Sequence, residues 1–340
     1  MIVRTQREPP ELPQAERKEQ QIARIAWCYY MEGLTQNEVA RRVGVSRMMV
    51  NRILAQCIEQ GIVQIRVNAR LASCVAREAE LRKAFGLKDA VVLPTPTRMD
   101  DLATILGAEA GHYLSDRLVP DQSIGLGWGR ALWSSLRAVR RRSLPGLSVV
   151  SLLGGLTRNA AMNTYECASR LADILDAACY YLAAPTIAGS EASRQVMLEQ
   201  DVIQEVLERG RQCDLALVSV GELSTSATNH KLGLLSEADL RSLTEAGAVG
   251  DLLCSFVDAA GRVVDHPLNR RVIALPLPDL ARIRTVILVA GGPAKIPVIR
   301  SALLARHVNV LITDEDSASA LLGCAGVPGT GRKEAGMAPA

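Results

Sequence analysis

The chain has 340 residues, of which 48% are hydrophobic and only 3% aromatic, and its net charge is +3. This length allows about two domains with aliphatic cores, and the small charge excludes a generic polycation that coats nucleic acid. The scarcity of aromatic side chains argues against a single-strand binder that stacks bases. A DNA-binding role would therefore need a local cluster of basic residues.

The eight cysteines are scattered without C-x-x-C spacing, which argues against zinc and iron–sulfur sites and predicts reduced core thiols. The N-terminal residues 1–14 lack an apolar signal core, and no apolar run reaches membrane-spanning length without a charge or a breaker. We therefore expect a cytoplasmic protein with no cofactor, no metal site and no membrane partner.

Residues 15–70 are predicted to form a small helical domain. Apolar positions between Ile22 and Tyr30 recur at helical spacing, and Gly33 ends that first helix. The next stretch, TQNEVARRVGVSRMMVNRIL (residues 35–54), predicts two short helices joined by a tight turn. Its end signals are a capping box at the start, a glycine stop and a second N-cap, which predict a helix-turn-helix that binds the DNA major groove. The alternative is an ordinary helical hairpin with a solvated arginine-rich face.

The second helix of this motif supplies the candidate base contacts Arg47, Met48 and Asn51, because they face away from its apolar stripe. Phosphate contacts are expected from Arg52 and from the start of the first helix. The full set of candidate DNA-binding residues is Thr35, Gln36, Ser46, Arg47, Met48, Asn51 and Arg52.

Two elements follow the motif. Residues 62–67, IVQIRV, alternate apolar and polar side chains and predict a strand, which is either a small wing beside the DNA or a plain connector. Residues 71–88 are predicted to form a linker helix, whose apolar stripe could pair with its copy in a second subunit.

Beyond Lys88, short aliphatic runs alternate with amphipathic helices. The predicted strands are residues 90–93, 123–126, 147–153, 178–183, 215–220, 252–257, 285–290 and 308–313. This alternation predicts an α/β domain at residues 89–325, with a Rossmann-like, doubly wound parallel sheet that binds ligands at the carboxyl ends of its strands. Residues 326–340 are rich in glycine and alanine and are expected to be a disordered tail.

Two loops after predicted strands carry glycines beside an arginine or a hydroxyl. The first, GLGWGR (residues 125–130), lets backbone N–H groups approach an anion that Arg130 could clamp. Its glycine spacing is not a dinucleotide fingerprint, and the alternative is a tight strand-to-helix turn. The second contains Gly154, Gly155 and Thr157, and its alternative is a surface loop.

Two charged residues lie at further strand ends. Asp251 precedes the predicted strand 252–257 and could accept hydrogen bonds from vicinal sugar hydroxyls, although a lone aspartate there is more often a turn residue. Lys295 ends the loop GGPAK (residues 291–295) at a helix N-terminus, where a lysine opposes the helix dipole. Its position is easier to understand if an anion shares the site, and the alternative is a solvated lysine.

Together these stretches resemble the SorC family of sugar-responsive bacterial transcriptional regulators over residues from about 16 to 322. The segments that carry the resemblance are LTQNEVARRVGVSRMMVNRIL, GIVQIRV, GLGWGRAL, SLLGG, LAAPTIA, LALVSVGEL, GAVGDLLCSFVDAAGRVV and VILVAGGPAKIPVIRSAL. The resemblance implies a winged-helix-like or helix-turn-helix domain, a second domain similar to sugar-phosphate isomerases, phosphorylated-sugar binding, tetramers and no catalysis. The effector residues that it implies are Gly127, Trp128, Gly129, Arg130, Gly154, Gly155, Thr157, Asp251 and Lys295.

Two functions of different classes follow. The first is a regulator of carbohydrate or polyol metabolism that binds operator DNA under the control of a phosphorylated sugar or polyol. The alternative is a sugar-phosphate isomerase-like enzyme with an added helical domain, in which Asp251 would be the general base. No acid–base partner lies near Asp251 in the sequence, and the nearest histidine is His266. We therefore predict a homo-oligomeric regulator, expected to be a tetramer, with no catalytic residues.

Overall fold

The computed structural model of the chain describes residues 14–63, 71–156 and 163–325. They fall into two compact units, the first within residues 1–68 and the second within residues 69–340. Most of the predicted strand 62–67, the candidate effector residue Thr157 and the predicted tail 326–340 lie outside the described residues. In the described ranges, no helix is long and apolar enough to cross a membrane.

The first unit is a three-helix module that contains the predicted helix-turn-helix. Its elements are α1 (Gln14–Ala26), a π-helical turn (Trp27–Met31), α2 (Gln36–Val43) and α3 (Arg47–Glu59). Their facing sides bury a small aliphatic core that includes Ile25, Val39 and Val50. The apolar spacing of the sequence therefore predicted the inward side of both motif helices.

The local end signals of the motif are confirmed. The Thr35 hydroxyl accepts from the Glu38 N–H, and the Glu38 carboxylate accepts from the Thr35 N–H at 2.8 Å, which completes the capping box. Gly44 ends α2 at a φ of 72°, a left-handed conformation that suits glycine. Ser46 caps α3 by accepting from the Met49 N–H at 3.2 Å.

The second unit is built on a parallel sheet with helices on both faces, as predicted. Its strands are β1 (Asp89–Leu93), β2 (Ser123–Leu126), β3 (Ser148–Ser151), β4 (Ala178–Tyr180), β5 (Leu215–Val218), β6 (Val220–Gly221), β7 (Gly250–Leu252), β8 (Ser255–Val257), β9 (Thr285–Val289) and β10 (Val310–Asp314). Seven of them form the parallel sheet in the order β1-β10-β9-β5-β2-β3-β4. The short strands β6, β7 and β8 form a separate antiparallel sheet.

The prediction of one strand over residues 252–257 is wrong. β7 ends at Leu252, the chain reverses at Leu253 and Cys254, and β8 returns antiparallel to β7. The two turn residues have φ values of 51° and 58°, in the left-handed region. An uninterrupted apolar run conceals such a turn, because neither glycine nor proline marks it.

Helices cover both faces of the parallel sheet. The helices of the second unit are α4 (Ala72–Phe85), α5 (Leu102–Ser115), α6 (Arg130–Ser135), α7 (Thr164–Leu175), α8 (Glu191–Leu198), α9 (Asp201–Arg211), α10 (Thr228–Lys231), α11 (Glu237–Glu245), α12 (Leu277–Leu280), α13 (Ile296–Leu304) and α14 (Glu315–Ala325). Helices α5, α6 and α7 bury one face, and α4, α9, α13 and α14 bury the other. Strands enclosed on both faces explain the continuous aliphatic runs of the sequence.

Helix α4, which the sequence suggested as a linker, packs on β1 and α14 within the second unit. It buries Cys74 and Leu81, and its buried Glu78 accepts from the Val92 N–H of β1 at 3.1 Å. Its outer side exposes Leu71 and Val75. The helix therefore belongs to the sheet domain and also presents an apolar stripe to solvent.

Helices α5 and α6 approach closely through two glycines of α5. A Cβ atom at Gly107 would lie 2.3 Å from the Ala131 carbonyl oxygen, and one at Gly111 would lie 2.3 Å from the Ser135 carbonyl oxygen. No side chain fits at such distances. This contact fixes the position of α6, which begins at Arg130.

Candidate functional site

A cavity of about 190 Å³ lies at the carboxyl ends of β2, β5 and β9. From β2 the chain proceeds to β3 and β4 on one side, whereas from β5 it proceeds to β9 and β10 on the other. The cavity therefore occupies the point where the winding of the sheet reverses, which is where open α/β sheets bind ligands.

The cavity brings together predicted residues that are far apart in the sequence. Its lining includes Trp128, Gly129, Arg130, Asp251 and Lys295. The first three follow β2 directly, whereas the lysine follows β9. The aspartate lies within β7 of the antiparallel sheet, and not at the start of a strand of the parallel sheet as the sequence suggested.

The remaining predicted glycines do not line this cavity, so the expectation of one shared site is corrected for them. The N–H groups of Gly127, Gly154 and Gly155 donate to backbone carbonyls at 2.8–2.9 Å and do not face an open space. A Cβ atom at Gly154 would lie 2.5 Å from the Ala184 carbonyl oxygen, and one at Gly155 would lie 2.3 Å from the Tyr165 ring. Close packing of neighbouring loops is thus the physical reason for these two glycines.

Two cations enter the cavity from different loops. Arg130 is exposed at the start of α6, and its guanidinium has no hydrogen-bond or ion-pair partner in the described part of the chain. The Lys295 ammonium lies 3.8 Å from a carboxylate oxygen of Glu222, and both side chains are partly buried. Burial lowers the pKa of Lys295, while the nearby carboxylates of Glu222 and Asp251 oppose that shift.

Asp251 is almost completely buried and is held by two hydrogen bonds. Its Oδ1 accepts from the side-chain amide of Asn229 at 2.7 Å, and its Oδ2 accepts from the Cys254 N–H at 3.0 Å. Burial raises the pKa of this carboxyl to about 6, against the opposing effects of the Cys254 N–H and the Lys295 ammonium. A Cβ atom at Gly221 would lie 2.2 Å from Oδ1, so only glycine allows this placement.

Sequence reasoning missed several polar residues of the cavity. Glu222, Asn229 and Ser219 all line it, and the Ser219 hydroxyl donates to the Val289 carbonyl at 2.9 Å, which joins the loops after β5 and β9. A signal was available for Glu222, because it directly follows a glycine at the end of a predicted strand. Asn229 had no such signal, since it lies on the short helix α10.

Asp314 holds the loop of residues 291–295, which carries Lys295, through hydrogen bonds. This fully buried residue at the end of β10 accepts from the Gly292 N–H at 3.2 Å, the Ser317 hydroxyl at 2.6 Å and the Thr95 hydroxyl at 3.1 Å. These bonds fix the turn that precedes Lys295. The sequence pointed to the loop but not to the carboxylate that orients it.

All four histidines lie in the described ranges, and none of them lines the cavity. His266 hydrogen-bonds to the Ser242 hydroxyl at 3.2 Å, away from the lining. Groups of three or more His, Cys, Asp and Glu side chains that could hold a metal ion are absent from the described ranges. The cations of Arg130 and Lys295 in the cavity suit an anion, and the carboxyl groups of Asp251 and Glu222 suit hydroxyl groups.

The first unit presents the predicted base-reading side chains to solvent. Arg47, Met48 and Asn51 are exposed on α3, the methionine by 83%. Asn51 also accepts from the side-chain amide of Gln36 at 3.5 Å, and Arg52 is exposed with a guanidinium nitrogen 2.9 Å from the Met49 sulfur. The second motif helix thus has a polar, partly basic outer side of the kind that enters a major groove.

The predicted phosphate contact by Thr35 competes with the capping box. Its hydroxyl donates to the Glu38 carboxylate at 2.7 Å, so a bond from this hydroxyl to phosphate would replace one that holds the helix start. Ser46 accepts from the Met49 N–H, which leaves its hydroxyl proton available. Of the two, Ser46 is the better placed phosphate donor.

The chain matches two family models. The sugar-binding domain family covers residues 69–323, and the sigma-70 region 4 family covers residues 16–60. Transcriptional regulator LsrR from Klebsiella pneumoniae subsp. pneumoniae is 32% identical over 313 residues, which are 91% of this chain and 94% of that protein. LsrR from Escherichia coli strain K12 is 33% identical over 313 residues, 90% of this chain and 95% of that protein.

Similar solved structures are also those of transcriptional regulators. The full-length sorbitol operon regulator SorC from Klebsiella pneumoniae has a TM-score of 0.68 at 26% identity, covering 90% of this chain and 99% of that one. A DeoR family transcriptional regulator from Listeria monocytogenes has a TM-score of 0.69 at 25% identity, covering 73% and 99%. The predicted fold, family and regulatory function are confirmed, and the enzyme alternative is set aside because these relatives are transcriptional regulators. The chain belongs to the sugar-binding domain family and is a SorC-family DNA-binding transcriptional regulator controlled by a sugar effector.

Proposed function

We propose that the effector is a phosphorylated sugar or polyol, which binds in the cavity at the carboxyl ends of β2, β5 and β9. The observation that carries this proposal is the convergence of Arg130 and Lys295 beside the buried carboxyl of Asp251. Two cations match a phosphate dianion, and guanidinium groups form strong charge-assisted hydrogen bonds to phosphate. A carboxylate would repel phosphate but accepts hydrogen bonds from hydroxyl groups.

The size of the cavity supports a small effector. Its volume of about 190 Å³ is below the range of about 300–1,000 Å³ typical of sites for larger, drug-sized ligands. A single sugar or polyol phosphate fits this scale better than a dinucleotide or an oligosaccharide. One wall, formed by Met99, Leu102 and Leu106, is apolar and would contact the carbon side of such a ligand.

The DNA side of the proposal rests on the first unit. The domain of residues 15–70 binds operator DNA in the major groove through Arg47, Met48 and Asn51, while Ser46 and Arg52 bind phosphates. Two symmetric copies read two half-sites, so the working form is a homo-oligomer, which we take to be a tetramer. The exposed apolar stripe of α4 is a candidate contact between copies. Operator binding places the protein with the bacterial chromosome, in the cytoplasm.

Control of DNA binding requires that the effector prefer one of two states of the protein. A preference of about 1–3 kcal/mol changes operator affinity by roughly 5- to 150-fold. A ligand that binds both states equally would leave operator affinity unchanged, however tightly it binds. The proposal therefore needs both a binding measurement and an operator measurement.

The test is a thermal-shift screen of sugar phosphates and polyol phosphates, followed by calorimetric titration of every compound that raises the Tm. Lys295→Met should weaken binding at least about tenfold, because it removes the partly buried ammonium and keeps an unbranched side chain that is only one atom shorter. Lys83→Met, on the exposed side of α4, is the matched control and should bind as the wild type does. Gel shifts with operator DNA, with and without the compound, then measure the change in DNA affinity.

Two outcomes would refute the proposal. Tight binding of unphosphorylated sugars, with no gain from a phosphate group, would show that the cations serve another purpose. Equal affinities of Lys295→Met and Lys83→Met for a phosphorylated effector would place its binding site elsewhere in the protein.

A further inference from the structure

The two carboxylates of the cavity differ in their hydrogen bonding. Both oxygens of Asp251 already accept hydrogen bonds from the protein. The carboxylate of Glu222 accepts none from any residue that the structure describes, and its contact with Lys295 at 3.8 Å is beyond hydrogen-bonding distance. Glu222 therefore has the greater capacity to accept hydrogen bonds from a ligand.

Glu222 lies in partly buried surroundings, where a carboxylate needs hydrogen-bond donors. Its side chain is only 16% exposed, and a carboxylate withdrawn from water requires hydrogen-bond donors. Its backbone is also fixed, because it directly follows Gly221, which pairs with Asp251 in the antiparallel sheet. The side chain thus lines the cavity from a rigid strand end beside the buried aspartate.

The geometry points to Glu222 as the residue that recognises hydroxyl groups of the effector and reduces affinity for phosphate groups without them. This inference rests on the proposed phosphate site. The Glu222 charge offsets that of Lys295, so a bare phosphate gains little on binding and meets a second negative charge. An effector that donates a hydroxyl to Glu222 replaces that repulsion with a charge-assisted hydrogen bond.

The experiment compares three small phosphates as probes. Propyl phosphate and glycerol 1-phosphate have the same three-carbon chain and phosphate, and differ by two hydroxyl groups, while inorganic phosphate has no carbon chain. Dissociation constants come from calorimetry of the full chain at fixed pH and ionic strength. The ratio of the two organic phosphates isolates the recognition of hydroxyl groups.

We expect Glu222→Ala to reduce the preference for glycerol 1-phosphate over propyl phosphate about tenfold, the value of a hydrogen bond to a charged group. The same variant should bind inorganic phosphate at least about threefold more tightly, because a nearby negative charge is gone. Glu222→Gln should show an intermediate preference, because its neutral oxygen still accepts a weaker bond. The control is Glu237→Ala, which breaks the exposed ion pair with Arg241, of similar length at 3.7 Å, and should change neither quantity.

An unchanged ratio in Glu222→Ala would overturn the inference, as would equal weakening of all three probes, which indicates a structural role. Lys295→Met separates this failure from failure of the proposed phosphate site. If the wild type binds the probes and Lys295→Met does not, the proposed phosphate site is supported even when the results for Glu222→Ala contradict the inference about Glu222. If the wild type binds none of the three phosphates, both fall together.

Discussion

The carboxyl of Asp251 should make the second unit less stable at neutral pH than at acidic pH. Burial raises its pKa to about 6 in the folded chain, from the ordinary aspartate value of 3.8. Each pKa unit corresponds to 1.36 kcal/mol, so full ionisation of this group costs the folded state about 3 kcal/mol. That cost is large beside the roughly 5–15 kcal/mol that separates folded from unfolded domains.

The direction in which stability changes with pH follows from the number of protons that the folded and unfolded states bind. Between pH 3.8 and about pH 6 the folded state holds the Asp251 proton and the unfolded state does not. Stability falls with rising pH wherever the folded state binds more protons. The contribution of Asp251 is therefore near zero below pH 3.8 and reaches its full destabilising value above pH 6.

The comparison is between the wild type and Asp251→Asn in the absence of effector. The asparagine cannot ionise, and it loses one of the two acceptors that bind Asn229 and Cys254, which adds an offset that does not vary with pH. Urea unfolding followed by tryptophan fluorescence reports the second unit through the buried Trp128. With a slope of about 2 kcal/mol per molar urea, the difference between the two midpoints should change by about 1.2 M from pH 4 to pH 7.

A difference in unfolding free energy that is constant across this pH range would refute the reasoning. It would mean that Lys295 and the two hydrogen-bond donors compensate the charge of Asp251 completely. A change of the opposite sign would mean that the ionised carboxylate stabilises the fold, and that burial is not the dominant effect on it.

Two further predictions concern the DNA-binding unit and the helix pair beside the cavity. Asn51→Ala should weaken operator binding by about 1–3 kcal/mol and random-DNA binding much less. Arg52→Ala should weaken binding to both DNAs and lower the slope of log affinity against log salt concentration by about one. Fluorescence anisotropy at several salt concentrations measures both effects, and equal losses of operator and random-DNA affinity for Asn51→Ala would contradict its role in reading bases. Gly107→Ala should lower stability by about 1–3 kcal/mol, because the new Cβ would lie 2.3 Å from the Ala131 carbonyl oxygen. The control is Gly323→Ala on α14, where a Cβ meets nothing within 4 Å, and it should be neutral or stabilising by up to about 1 kcal/mol. Equal unfolding free energies of Gly107→Ala and Gly323→Ala in urea denaturation would refute the argument that α5 and α6 pack too closely for a side chain.

The sequence by itself determined the helix-turn-helix, because its signals are local. The capping box at Thr35, the left-handed stop at Gly44 and the N-cap at Ser46 each involve residues no more than four apart. Apolar spacing likewise predicted the inward sides of α2 and α3, since helical periodicity alone decides which residues face the core. The continuous aliphatic runs also predicted a parallel sheet covered on both faces.

Only the tertiary structure decided which loops form the site. Arg130, Glu222 and Lys295 meet because β2, β5 and β9 are neighbours in the sheet, although they are far apart in the sequence. Strand order depends on how helices pack on each face, and local patterns contain no record of it. The same contacts removed Gly154 and Gly155 from the cavity, because the neighbouring Ala184 and Tyr165 fill the space beside them.

The charges of the site were also beyond sequence reasoning. Asp251 was recognised as a candidate, but its raised pKa arises from burial beneath a hairpin whose turn no residue type marks. Glu222 is a candidate for recognising hydroxyl groups because its carboxylate lacks a hydrogen-bond donor among the described residues, which only atomic positions can reveal. The sequence shows which residue types could bind an anion. Their distances, their burial and the effects of their charges on one another arise from the folded arrangement of the strands.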